Sequence, residues 1–517
     1  MSATHAVIDA AKLAKLNNSS VGLDELRRGI EKESLRVTPD GRLSEQPHPQ
    51  SLGSPLTHPA ITTDFSESQL EFITSVHPSA DACLDELEAI HRFVYQSLDE
   101  EMLWPSSMPC LLGDDSDIPL GQYGTSNIAR AKTVYRRGLG NRYGRLMQTI
   151  SGIHYNFSLP ETLWSALGIT EHDDRTRAYF GLIRNFRRWS WLLIYLFGAS
   201  PTVCRSFPKS LQHNLEPFDD GSLYKPYATS LRMGPLGYQS DAQSGLHVSY
   251  NSFDQYAASI TEALTKSYPA YETIGTNVDG VYQQLNAAIL QIENEFYGTI
   301  RPKRRTRTGE RPLTALRERG VEYVEVRCVD LNPFLRVGID TDQIRFIDSF
   351  LMLCLLADSP DDSKKESIWM AKNQLNVVER GREPDLVLEQ PNPVPLADWA
   401  SALLQDCGAI AHLLDDANGG DHYHISVDHQ KSKISDPSLT PSAQVLSIMR
   451  DQGIPFFRFS MSQAIEHRDY FFDHPLQQHE LAEYRDVATN SLSQQQEIER
   501  SDTQSFEEFL EGYLAPP

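Results

Sequence analysis

The sequence predicts an α+β fold: an antiparallel sheet together with helices, followed by a mostly helical C-terminal part. Three observations predict it. Helical and strand-like patterns are mixed, without the steady strand–helix alternation that marks a parallel sheet. Four short segments alternate apolar and polar residues, as strands with one dry and one wet face do. Long segments with apolar residues at helical spacing fill much of the rest, above all toward the end of the chain.

The strands come first. In residues 30–37 (IEKESLRV), Glu31 and Glu33 point the same way. In 69–76 (QLEFITSV), Leu70, Phe72 and Val76 oppose Glu71 and Ile73, and Asp64 lies just upstream. In 153–159 (IHYNFSL), Ile153, Tyr155, Phe157 and Leu159 oppose His154, Asn156 and Ser158. In 323–331 (YVEVRCVDL), Val324, Val326 and Cys328 oppose Glu325 and Arg327. Helices are expected over 82–103, 174–197 and 341–356, and over most of 475–514. The Pro-rich stretch EQPNPVP at 389–395 is the expected boundary. It divides residues 1–385, which hold the strand candidates, from a helical subregion, 386–517, that packs on the same domain.

Composition narrows the function. The 517 residues are 40% hydrophobic and 23% charged, which suits a globular protein and excludes wholesale disorder. Acidic residues outnumber basic ones 70 to 47, a formal net charge of −23, so the chain as a whole repels nucleic acid. Any anion it binds must meet a local concentration of basic groups. No stretch has the roughly 18 apolar residues needed to cross a membrane. The longest, WSWLLIYLFGA at 189–199, reads as a buried helix end. The N-terminus lacks the pattern of a signal peptide, and six scattered cysteines without a Cys-x-x-Cys pair suggest reduced thiols in a cytoplasm.

The polar faces of the four strands share a composition unlike an ordinary wet face. They can gather Glu31, Glu33, Glu71, Glu325, His154, Asn156 and Arg327. Four unrelated solvated faces would give the same list. The alternative is one concave sheet face holding divalent metal. Close carboxylates need a cation to offset their repulsion, and oxygen ligands suit Mg²⁺, with Mn²⁺ tolerated because of His154. A second cluster, RPKRRTRTGER at 301–311, is conspicuous in an acidic chain. It reads as a solvated or internally paired run, or as a source of phosphate ligands beside Glu325 and Arg327. A nucleic-acid role is disfavoured by the overall charge.

Several motifs are absent: G-x-x-x-x-G-K-S/T, G-x-G-x-x-G, G-x-S-x-G and H-E-x-x-H. A nucleotide would therefore bind through metal and basic side chains on a sheet. Asp421, His422, His424, Asp428 and His429 form a cluster in which a His-x-His strand could hold Zn²⁺. Its Gly-led, polar surroundings without cysteine argue against a metal site.

Longer stretches now bear on the question. They include RGIEKESLRV (28–37), ITTDFSESQLEFIT (61–74), WPSSMPC (104–110), QYGTSN (122–127), NRYGRLMQTISGIHYNFSL (141–159), PYATSLR (226–232), QIENE (291–295), IRPKR (300–304) and EYVEVRCVDLNPF (322–334). In this order they resemble the glutamate–cysteine ligases of gamma-proteobacteria, over about the first 385 residues. The resemblance implies a sheet like that of glutamine synthetase, curved into a funnel. It implies joining of the L-glutamate γ-carboxylate to the L-cysteine amine through a γ-glutamyl phosphate, with ATP giving ADP and phosphate. This is the first step of glutathione synthesis.

The resemblance also assigns roles. Glu31, Glu33, Asp64, Glu71, His154 and Glu325 match metal positions. Arg327 matches a residue at the transferred phosphoryl group, so Arg327 and Glu325 are the expected catalytic pair. Arg301 and Lys303 are expected at phosphates and Arg232 at the glutamate carboxylate. Phe65, Tyr135, Leu139, Tyr238 and Tyr297 match the cysteine pocket. Glutathione is an expected feedback inhibitor that overlaps the glutamate site, and a monomer is the favoured state. Another carboxylate–amine ligase, a two-metal phosphohydrolase and a non-catalytic binding protein are the competing readings.

Overall fold

A computed structural model describes residues 8, 10–18, 21–109, 111–207, 213–237, 241–307 and 309–515. Its centre is a seven-stranded antiparallel sheet. The strands are β1 (Arg27–Val37), β2 (Ile61–Thr63), β3 (Gln69–Ile73), β4 (Met102–Leu103), β5 (Ile153–Ser158), β6 (Ile300–Lys303) and β7 (Tyr323–Val329). They lie in the order β6-β7-β5-β1-β3-β2, with β4 paired to the C-terminal end of β1. Glu31 stands opposite His154 on β5, and Glu33 stands opposite Glu71 on β3. Glu325 stands opposite Asn156 on one side and Arg301 on the other. The polar faces of the four expected strands are thus one face.

The opposite face is dry. Ile30, Phe72, Ile153, Tyr155, Phe157, Ile300, Val324 and Val326 are buried in the main core. Each such side chain contributes roughly 1.5–3 kcal/mol on burial. Helices α1 (Ala80–Tyr95), α3 (His172–Phe197) and α4 (Thr341–Leu356) supply the covering layer. A further helix, α2 (Asn127–Tyr143), belongs to the site described below. The α4 helix starts where Asp340 accepts the Gln343 N–H at 2.7 Å. The second half of α3 is buried all round because the sheet lies on one side and the C-terminal helices on the other. There Trp191 packs against Trp399 at 5.0 Å between ring centroids. That explains the apolar run at 189–199. Among the described residues no helix is long and apolar enough to cross a membrane.

Beyond the Pro-rich stretch, α5 (Leu396–Asn418) and α6 (His422–Ser435) pack against α4 in the same core. The tail forms α7 (Gln478–Ser501) and α8 (Phe506–Tyr513).

Three expectations need correction. The helix expected over 82–103 ends at Tyr95, and Met102–Leu103 adds a strand to β1 instead. The helical spacing ran on by chance through Leu98 into an apolar strand. Val76, expected on the buried face, is 57% exposed, because β3 ends at Ile73. Cys204 is disulfide-bonded, whereas Cys83, Cys328, Cys354 and Cys407 are free and buried. Spacing along a chain does not report which sulfurs meet in space. Cys110 lies outside the described residues.

The dry face of β1 also carries buried basic residues, Arg28 and Lys32 among them. Arg28 pairs with Asp348 of α4 at 2.9 Å, and Tyr155 donates to the same carboxylate at 2.6 Å. Lys32 Nζ donates to His91 at 2.7 Å, since the other ring nitrogen of His91 faces the Leu87 carbonyl. Burial pulls Lys32 down to about 7. Asp348→Ala would leave Arg28 buried without its counter-charge. We expect a loss of about 3–5 kcal/mol in unfolding free energy. A denaturation midpoint close to that of the parent would contradict the assignment.

Candidate active site

The wet face of the sheet forms the floor of a cavity of about 300 Å³. Its lining includes Glu31, Glu33, Asp64, Glu71, His154, Glu325 and Arg327, together with Arg301 and Lys303. Strand alternation alone puts most of these side chains on one side. Asp64 comes from the turn after β2, where its N–H is tied to the Gln69 carbonyl at 3.1 Å.

Two halves of the face differ in charge. On β6 and β7, Glu325 is gripped by Lys303 at 3.0 Å and Arg327 at 3.1 Å, with Arg301 at 3.8 Å. Burial acts to raise its pKa, but Lys303, Arg327, His154 and Arg301 outweigh it and hold the carboxyl well below the usual range. On β1 and β3 there is no comparable cation. Burial and Asp64 push Glu33 up to about 8, although Arg232, Arg327 and the Gly152 N–H act the other way. Burial, Asp64, Glu31 and Glu33 push Glu71 up as well.

Glu31, Glu71 and His154 each offer a ligand atom, all within 4.8 Å of one another. His154 Nδ1 lies 3.2 Å from Glu31, while its buried Nε2 has no hydrogen-bond partner. Burial and Arg327 lower the pKa of His154, which favours the neutral ring that a metal ligand requires. A buried lone nitrogen among desolvated carboxylates fits a divalent cation.

The cavity's second wall is α2, capped by Ser126, whose side chain accepts from Ala129 N. Lys132, Tyr135, Arg136 and Leu139 follow i, i+3, i+4, i+7 spacing and line the cavity from one helix face. Arg136 is fixed by the carbonyls of Asp64 and Thr63 and lies 4.4 Å from the Tyr123 ring centroid. Phe65 and Tyr297 complete an aromatic wall, with Gln148 donating to the Tyr297 hydroxyl at 3.1 Å. Lys132, Arg136, Gln148, Asn294 and Tyr513 were not expected here. The helical spacing of the first two with Tyr135 and Leu139 was readable in the sequence. A larger cavity, of about 510 Å³, adjoins the first and shares Tyr297 and Arg327 with it.

Two expected residues stand apart. Arg232 is 0% exposed and lies behind the wall, donating to the Arg327 carbonyl at 2.9 Å and pairing with Asp330 at 3.6 Å. A Cβ at Gly152 would meet its guanidinium at 1.9 Å, so that glycine makes room for it. Tyr238 lies outside the described residues. Of the basic run, Arg301 and Lys303 face the cavity, while Arg304 and Arg311 pair with Glu322 and Glu293. The histidine cluster is on a helix, not a strand: α6 begins at His422, and Asp415 accepts the N–H groups of Tyr423 and His424. His424 pairs with Asp428 at 3.3 Å and His429 with Asp342 at 3.1 Å.

A family model described as glutamate-cysteine ligase matches residues 11–377. The chain belongs to the glutamate–cysteine ligase family. The enzyme of that name from Pseudomonas paraeruginosa is 52% identical over 500 residues, covering 95% of each chain. That of Alcanivorax borkumensis is 49% identical over 522 residues, covering 99% of this chain and 98% of the relative. A crystal structure of glutamate–cysteine ligase from Francisella tularensis in complex with AMP superposes with a TM-score of 0.90 at 37% identity. It covers 95% of this chain and 97% of that one. A bifunctional glutathione synthetase from Pasteurella multocida gives 0.71 at 25% identity, over 90% of this chain and 55% of that one. The α+β fold and the family resemblance read from the sequence are borne out.

The electrostatics give a test. Without a bound cation Glu33 holds its proton up to about pH 8, and a cation entering the site would displace it. Mg²⁺ affinity should therefore rise with pH toward about 8 and fall as pH drops below it. Calorimetry at pH 7 in two buffers of different ionisation heat should reveal proton release on Mg²⁺ binding. Identical heats in both would count against this site.

Proposed function

We propose that this chain makes γ-glutamylcysteine from L-glutamate and L-cysteine, converting ATP to ADP and phosphate. The observation that carries the reading is the polarised cavity: a carboxylate and histidine cluster, an Arg–Lys group around Glu325, and an aromatic wall meet within one pocket. Membership of the family and the AMP held by the Francisella tularensis relative support it.

A carboxylate is a poor electrophile, and amide formation in water is uphill. A γ-carboxylate oxygen first attacks the γ-phosphorus of ATP and ADP leaves, giving an acyl phosphate. The cysteine amine then attacks the acyl carbon, loses a proton, and phosphate departs. No covalent bond to the protein is required, so the protein's contribution is positioning and charge neutralisation. In this reading Arg327 places its planar fork on the transferring phosphoryl group, with Arg301 and Lys303 at the neighbouring phosphates. Glu31, Glu33, Asp64, Glu71, His154 and Glu325 would hold Mg²⁺, with Mn²⁺ tolerated. Such an ion supplies charge neutralisation for the phosphates.

Phe65, Tyr135, Leu139 and Tyr297 form the acceptor pocket, where aromatic rings suit a small polarizable thiol. Tyr238 is assigned to it by the family resemblance alone. Arg232, buried behind Arg327, acts on the glutamate side by fixing that strand rather than by touching substrate. Glutathione, which contains the product, would compete for the glutamate site. Residues 1–385 form the catalytic part, and 386–517 the helical part packed on it.

The test is an ADP-release assay. Turnover should require both amino acids. Fast ATP hydrolysis with neither would point to a phosphohydrolase. Glu325→Gln should raise the Mg²⁺ requirement and cost about a hundredfold or more in rate, beyond the roughly 10–100-fold typical of outer-sphere changes. Arg327→Lys should lower kcat while ATP still binds. Parental kinetics in both variants, with unchanged circular dichroism, would overturn the assignment.

A further inference from the structure

The acidic tail of the chain has an unexpected place. Tyr513, the last residue of α8, lines the same cavity as Tyr135, Leu139 and Tyr297. We propose that α8 is part of the acceptor side of the active site, and that Tyr513 is a wall which limits the size of the acceptor amino acid. This rests on reading the cavity as the ligase site.

The helix is seated for that task. Phe506, Phe509, Leu510 and Tyr513 recur at i, i+3, i+4, i+7 and form one apolar stripe. Phe506 and Leu510 are buried with Ala131 and Val134 of α2 and with Leu285. The ring of Phe506 lies between the Arg130 guanidinium, 4.1 Å from its centroid, and the edge-on ring of Tyr282 at 5.1 Å. Phe509 stacks on Tyr513 at 5.5 Å.

Both ends are tied. Ahead of α8, Asp502 accepts the Asn127 backbone N–H and side-chain amide at 2.5 and 2.8 Å. After it, Arg311 donates to the Ala515 carbonyl at 2.6 Å while Glu293 holds the same guanidinium at 3.0 Å. The helix therefore clips the start of α2 to the basic run before β7. The first of these, α2, carries Tyr135 and Leu139 of the acceptor wall. A ring that lines the same cavity as Tyr135 and Leu139 bounds how long an acceptor side chain can be.

Steady-state kinetics with all three substrates test this. Tyr513→Ala should raise the KM for L-cysteine about tenfold, while those for ATP and L-glutamate stay within about twofold. It should also raise kcat/KM for L-norvaline relative to L-2-aminobutyrate, which is one methylene shorter. Tyr513→Phe should recover most of the lost cysteine affinity, since the ring supplies the wall. Phe506→Ala, distant from the cavity lining, should reproduce the cysteine defect by unseating α8. A parental cysteine KM and acceptor range in Tyr513→Ala would overturn the proposal, as would an equal rise in all three KM values. A parent enzyme whose ADP release ignores glutamate and cysteine would instead overturn the ligase reading itself.

Discussion

Carboxylates that share one desolvated face repel each other, and much of this structure is organised around that repulsion. Glu33 and Glu71 stand opposite each other across β1 and β3, with Asp64 near both. Two like charges about 4 Å apart at an effective dielectric near 20 cost roughly 4 kcal/mol. A fold that needed only stability would replace one of them with an apolar residue. Retaining them stores a demand for positive charge at one defined place. The protein meets part of that demand with protons, hence the raised pKa values, and leaves His154 Nε2 without a hydrogen bond, 3.6 Å from Glu33.

The sheet can hold such a face because its other face is tightly fixed. β1 carries ionisable groups on both sides: Glu31 and Glu33 toward the cavity, Arg28 and Lys32 toward the core. The core-side groups are not free to relax. Arg28 is bound to Asp348 of α4 and Lys32 to His91 of α1. Each ties the central strand to a covering helix by a buried polar contact, which is directional in a way that apolar packing is not. The carboxylates are thereby held in register with His154 and Glu71 despite their mutual repulsion.

How much of this was legible in the sequence follows from the range of each interaction. Alternation with period two is local, so the strand faces of Glu31, Glu33, His154, Glu325 and Arg327 could be read directly. Their union on one face is not local. It depends on strand order, which no local pattern carries and which the pairing of β5 with both β1 and β7 realises. Arg136 was missed although it shares a helix face with Tyr135 and Leu139, because those two entered through resemblance and not through a helical reading of 127–143. Arg232 was placed at substrate by its motif, yet burial cannot be read from a motif, and it lies behind the wall. Tyr513 was hidden for a different reason: a short helix in an acidic tail carries no signal of what it packs against. The His422–His429 cluster misled as to secondary structure, since His-x-His fits a strand only if the segment is one, and here the helix starts at that point.

Charge explains why the site is polarised and not simply acidic. The chain carries −23 overall, while ATP and glutamate are anions, so its outer surface offers them no attraction. Entry has to be favoured by a field confined to the cavity. The β6–β7 edge supplies one: Arg301, Lys303 and Arg327 converge there on a single Glu325. Three cations against one carboxylate leave a net positive end. The β1–β3 side, with Glu33, Glu71 and Asp64, is the carboxylate-rich end, where protons stand in for a cation. The same residue type has opposite pKa shifts at the two ends, downward at Glu325 and upward at Glu33, because the neighbours and not the residue decide. A phosphate chain placed along this gradient would meet fixed cations at one end and cation-seeking carboxylates at the other. An aromatic pocket beside the junction would hold the acceptor, so that charge is handled on the sheet and size is judged by the helices.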